Sequence, residues 1–223
     1  MKSNFVTKLL VAATIVTGQY CHSQGFDNLD FEGATVVLAF PPSPNYVNAS
    51  SAIPGWTAYL DGNPQSVIGY DTVSLGGSAV FLEDANAPSG GGPSPIQGNY
   101  SVFVQGPEPG LETSAAIGQT GTIPTTAQSL TFIGNLFGSL QLTFNGQNIS
   151  FSAIGNGANF TIYGADIATY AGQTGQLLFT SPVNSNALLD DIQFSPSSVP
   201  EPSELALGAL GALLLGFRRW GKS

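Results

Sequence analysis

Residues 140–151 read Leu-Gln-Leu-Thr-Phe-Asn-Gly-Gln-Asn-Ile-Ser-Phe, and this stretch decides the fold. Leu140, Leu142 and Phe144 alternate with polar residues, the pattern of a strand with one buried face. Asn145-Gly146 then supplies a two-residue turn of the kind that needs positive φ, and Ile149 and Phe151 carry the apolar phase onward. The stretch is a β-hairpin. Working outward, short β-branched and aromatic runs predict strands over 35–40, 56–60, 65–70, 79–82, 100–105, 129–136, 148–154, 159–163, 176–180 and 188–194. Residues 41–44 (PPSP) and 83–98 (EDANAPSGGGPSPIQG) read as loops by their Gly and Pro content. Many short strands separated by turn signals, with no helix of more than two turns between the ends of the chain, predict an all-β, jelly-roll-like β-sandwich.

Composition narrows the chemistry. Charged residues make up 9% of the 223, and all five basic residues lie near the ends: Lys2, Lys8, Arg218, Arg219 and Lys222. Cys21 and His22 are the single Cys and single His. The body from residue 26 onward to 199 therefore carries no Lys, Arg, His or Cys. Nucleophilic systems that need a His base are excluded, as are zinc sites built on His or Cys. Nucleic-acid binding lacks its counterion-releasing cations and meets a net negative charge. No disulfide can form, so the core alone holds the fold. Carboxylate, hydroxyl, amide and aromatic chemistry remain.

The ends carry targeting signals. Lys2 and Lys8 followed by the apolar run 9–16 predict a secretory signal peptide over residues 1–25. At the other end, after a linker at 195–199, come Pro200-Glu201-Pro202, an uncharged run from Leu205 to Phe217, and Arg218, Arg219 and Lys222. The thirteen residues of that run would form a helix of roughly 20 Å, short of a full bilayer crossing. The arginines can snorkel toward head groups, and Trp220 suits the interface. This tail, residues 200–223, resembles the PEP-CTERM sorting signal of exported bacterial proteins. The resemblance implies export and transient anchoring in the inner membrane by the C-terminal hydrophobic helix. It also implies an exosortase-type processing enzyme as partner, and release to the cell surface or the extracellular space.

Two further stretches bear on the body, residues 26–194. Asn28-Leu-Asp30-Phe31-Glu32 followed by Ile53-Pro-Gly-Trp56 opens it, and Leu188-Leu-Asp190-Asp191-Ile192 closes it. Both resemble exported galactose-binding-like, jelly-roll modules, many of which bind carbohydrate. In those modules a structural Ca²⁺ often joins the first and last strands, and Glu32 or Asp30 with Asp190 or Asp191 occupy matching positions. Period two independently puts Asp190 on the same inward side as Ile192 and Phe194. A buried carboxylate in a body without cations needs a metal ion, a raised pKa, or backbone N–H donors at a sheet rim.

Trp56, Tyr59 and Tyr70 are the sugar-stacking candidates, with a core role as the other reading of Trp56. For acid-pair hydrolysis, Glu32, Asp61, Asp71, Glu83, Glu108, Glu112 and Asp166 are available, but sequence cannot pair them. The expected function is an exported, non-catalytic surface or matrix protein associated with extracellular polysaccharide or the cell envelope. A lectin-like module with a defined sugar site and a carboxylate glycosidase are the competing readings.

Overall fold

A computed structural model describes residues 25–87, 91–111 and 113–199. The signal peptide, the sorting residues Pro200, Glu201, Pro202, Arg218 and Arg219, and the hydrophobic tail lie outside the described residues, apart from Gly25. Among the described residues no helix is long and apolar enough to cross a membrane.

Strands dominate. They are β1 (Tyr46–Asn48), β2 (Thr57–Leu60), β3 (Asn63–Gln65), β4 (Val67–Tyr70), β5 (Ala79–Asp84), β6 (Tyr100–Gln105) and β7 (Ala115–Thr122), then β8 (Ser129–Phe137), β9 (Gln141–Phe144), β10 (Gln147–Asn148), β11 (Phe151–Asn156), β12 (Thr161–Asp166), β13 (Thr174–Ser181) and β14 (Asn186–Ser195). One helical turn, Ala49–Ala52, follows β1. An eight-stranded sheet runs β1-β4-β5-β6-β14-β8-β12-β11, and a six-stranded sheet runs β10-β9-β13-β7-β2-β3. Neighbours are antiparallel except β4 and β5. The architecture is the expected β-sandwich.

Its core is built by alternation. Leu177 and Phe179 of β13 point in, while Gln176, Leu178 and Thr180 are only partly covered. Val80 and Leu82 of β5 and Val102 and Val104 of β6 face them from the large sheet. Phe132 of β8 joins the layers, its ring 5.4 Å from Phe179 and 5.1 Å from Tyr163.

The opening hairpin forms with Phe144 opposite Gln147, and Asn145 and Gly146 at φ 50° and 75°. Beyond the turn the chain departs from expectation. The run 148–154 is not one strand: Asn148 ends β10 in the small sheet and Phe151 begins β11 in the large one. The run 65–70 likewise divides between β3 and β4, one in each sheet. Both are places where the chain changes layer, which period two cannot signal.

Residues 35–40 form no strand. They make a single bridge, Leu38 to Val47, because the Pro41-Pro42 turn that follows cannot extend a ladder. Strand β7 was not expected, since Gly118 and Gly121 break its apolar pattern. The Gly121 site is one of close approach, where a Cβ would collide with the backbone of Gly25. Finally, β5 runs on through Glu83 and Asp84, two residues that read as loop.

Candidate functional site

A groove of about 670 Å³ opens along β1, β4 and β5, beside β2 and β3. Its rim carries Phe40 and Tyr46, 59% and 49% exposed, with ring centroids 6.1 Å apart in an edge-to-face arrangement. Tyr46 lies on β1, and the bridge between Leu38 and Val47 brings the segment bearing Phe40 back alongside it. Phe81 lines the groove next to Gly69, where a Cβ would collide with its ring, so the glycine leaves that ring its place. Asn45, Gln65, Thr72 and several serines supply amide and hydroxyl groups, and no lining residue is charged. Exposed rings beside neutral donors and acceptors suit a ligand with an apolar face and a hydroxyl rim.

The three aromatic residues singled out by sequence are not brought together. Trp56 is buried, its indole N–H donating to the Asn28 carbonyl at 3.0 Å. Phe31 and Phe179 pack on it with centroids at 5.7 and 6.3 Å, so it plugs the core and has no free face for a sugar. Tyr59 lies on the outer face of the small sheet, beside a hollow of about 210 Å³, and its hydroxyl accepts from Gln176 Nε2 at 3.0 Å. Tyr70 donates to Asp84 Oδ2 at 2.6 Å. Burial and that hydrogen bond push its phenol well above the ordinary tyrosine range. Phe40 and Tyr46 were not among the residues singled out by sequence, because the two rings meet only where the chain folds back after Phe40.

The four acids expected around calcium also stand apart. Among the described residues no group of three or more Asp, Glu, His or Cys side chains is placed to hold a metal ion. Glu32 Oε1 accepts from the backbone N–H groups of Asn99 at 2.7 Å and Tyr100 at 3.0 Å, and Oε2 from the Asn99 amide at 3.0 Å. Burial alone would raise this carboxyl, but the N–H donors of Tyr100 and Asn99 outweigh it and hold the group below the usual Glu range. Asp30 accepts from the Glu32 N–H, and Asp191 from the Gln193 side chain.

Asp190 is buried, but not in the inward phase that alternation implied. A bulge between Asp190 and Gln193 inserts one residue, with Asp191 at φ 44°. Ile192 therefore joins Leu189 in the main core, while Asp190 shares the outer face with Leu188. There its carboxylate accepts from Ser101 Oγ at 2.7 Å, Asp191 N–H at 2.8 Å and Gln97 N–H at 3.3 Å. Burial pushes it up to about 6 against the pull of these donors. The remaining acid of note is Glu83, fully buried, with no hydrogen-bond partner on either carboxylate oxygen among the described residues. Burial, then the nearby Asp71, pushes it up to about 8.

No family model matches this chain, and no curated protein matches it. Among solved structures it is similar to the apo form of a cyclase from Fischerella sp., at 15% identity over 79% of this chain and 98% of that one, with a TM-score of 0.42. It is similar to the enzymatically active domain of bacteriophage CBA120 tailspike protein 4, at 14% identity over 64% of this chain and 19% of that one, with a TM-score of 0.36. A third is TmCBM61 in complex with β-1,4-galactotriose, at 16% identity over 78% of this chain and 99% of that one, with a TM-score of 0.36.

Proposed function

We propose that this protein is an exported, non-catalytic β-sandwich that associates with extracellular polysaccharide through the groove at β1, β4 and β5. The observation that carries the reading is the exposed Phe40–Tyr46 pair on an uncharged, amide- and hydroxyl-lined groove. It favours a module with a defined sugar site over a purely structural matrix role. In this reading residues 200–223 deliver the body through an exosortase-type enzyme, with Pro200, Glu201, Pro202, Arg218 and Arg219 as the sorting determinants. Catalysis is no part of it: a glycosidase needs two carboxyl groups across its cleft, and the groove lining has none. The reading does not draw on calcium: among the described residues Glu32, Asp30, Asp190 and Asp191 do not form a group of three or more placed to hold a metal ion.

Retardation in gels that contain neutral polysaccharides tests the reading. The exported protein should migrate more slowly in at least one such gel than in a blank gel. Phe40→Ala should restore mobility, because losing one stacking ring weakens binding about tenfold, equivalent to ~1.4 kcal/mol. Unchanged migration in every gel would overturn the proposal.

A further inference from the structure

Glu83 is the outlier of this molecule. A fully buried acid usually has a cation or several N–H donors, and among the described residues Glu83 has neither. It sits on β5 opposite Ser101 of β6, on the face away from Val80 and Leu82, and so on the outer side of the large sheet. Main chain lies against it. Gly92 lies so close that a Cβ there would collide with the carboxylate, its carbon at 2.8 Å. Gly92 belongs to a strap, residues 91–98, that crosses this outer face. Ile96 N–H donates to Ser101 Oγ at 2.9 Å, and Gln97 N–H to Asp190. The Ile96 side chain seats on Ile133 and Leu188, beside Phe103, Phe160 and Ile162.

We propose that Glu83 and the strap of residues 91–98 form a pH-operated latch: with the carboxyl protonated the strap lies closed on the outer face, and ionisation lifts it off the apolar patch under Ile96. The physical reason is solvation. An ionised carboxylate buried without a donor or counter-charge costs several kcal/mol, and water is its cheapest remedy. Water can reach Glu83 by movement of the strap, whereas movement of β5 would break its ladder with β6. The surrounding groups cannot relieve the charge in place. Asp71 and, beyond Ser101, Asp190 are acids; Asp84, next in the strand, is held by Tyr70 and Asn86; Glu32 and Tyr100 flank the end of the strap. Residues 91–98 contain no ionisable side chain, and the chain from 26 to 199 contains no base.

The sign follows from proton linkage. A carboxyl whose closed-state pKa is raised favours closure fully below its ordinary value, and that advantage is lost as pH rises toward about 8. Across this window closure should weaken by about tenfold per pH unit and then level off.

The experiment is amide hydrogen exchange of the full chain, corrected for intrinsic rates, from about pH 5 to about pH 9. Protection at Ile96 and Gln97 should fall steeply in the wild type, with rising uptake of an apolar dye. In Glu83→Gln it should fall far less. Asp190 is present in both proteins, so the difference belongs to Glu83. Protection independent of pH in the wild type, or an equal fall in Glu83→Gln, would overturn the latch. Should that variant not fold, ¹³C titration of the wild-type Glu83 carboxyl decides. Its midpoint should coincide with that of the strap amides, and a midpoint in the ordinary Glu range would sink the proposal. The latch is independent of the polysaccharide reading, and either can fail alone.

Discussion

The groove at β1, β4 and β5 and the strapped face over β5, β6 and β14 belong to one sheet but solve opposite problems. The groove keeps exposed rings and has no charge in its lining. The strapped face buries Glu83 and Asp190 under a Gly- and Pro-rich segment. With no Lys, Arg or His between residues 26 and 199, no side-chain cation can pair with a buried acid, and N–H and O–H donors or a proton are what the chain itself supplies. Glu32 and Asp190 take the first course, and Glu83 is left with the second. The comparison teaches that acids here serve to hold chain, while the face open to a ligand is neutral.

The largest effect should come from pH. Because Glu83 is raised to about 8 and Asp190 to about 6, both favour the folded state most at low pH, and stability should decline as pH climbs through these values. Each group contributes a slope of up to ~1.4 kcal/mol per pH unit within its own window. Melting curves between mildly acidic and mildly alkaline buffer check this, and Glu83→Gln should flatten the upper part of the decline. A melting point that rises over the same range would contradict the assignment of a neutral Glu83.

Next is the groove. Phe40→Ala with Tyr46→Ala should change stability by no more than about 0.5 kcal/mol, because both rings are largely exposed, yet remove polysaccharide binding. Smaller is Glu32→Ala, which releases the N–H groups of Asn99 and Tyr100. A loss of about 1 kcal/mol is expected, tempered by solvent exposure. Its sign opposes that of Glu83: the lowered carboxyl stabilises above its unfolded pKa, and that share disappears as pH falls. The smallest effect is expected from chelator, which should leave the melting point in place. A clear drop would restore the calcium reading of Glu32, Asp30, Asp190 and Asp191.

How much was legible in the sequence follows from what each feature depends on. The 140–146 hairpin and β6 depend on local alternation and turn chemistry, and both form where expected. Strand β7 depends on glycines chosen for closeness to Gly25 and Leu178, which alternation cannot reveal. The phase of Asp190 depends on a bulge against β8, a property of the pair rather than of either strand. Trp56 drew attention as the single Trp of the body, but the Asn28 carbonyl and two Phe rings claim it for the core. Phe40 and Tyr46 become neighbours only because the chain folds back at Pro41-Pro42, so their pairing was hidden although their types were plain.

The measurement that bears most directly on the central claim is calorimetric titration of a neutral and, separately, an anionic polysaccharide into the wild type and the Phe40→Ala, Tyr46→Ala double variant, at low and high salt. The account predicts wild-type binding that salt leaves unchanged, and no binding by a double variant that melts normally. Undiminished binding by the double variant, or binding confined to anionic polysaccharide and weakened by salt, would contradict it.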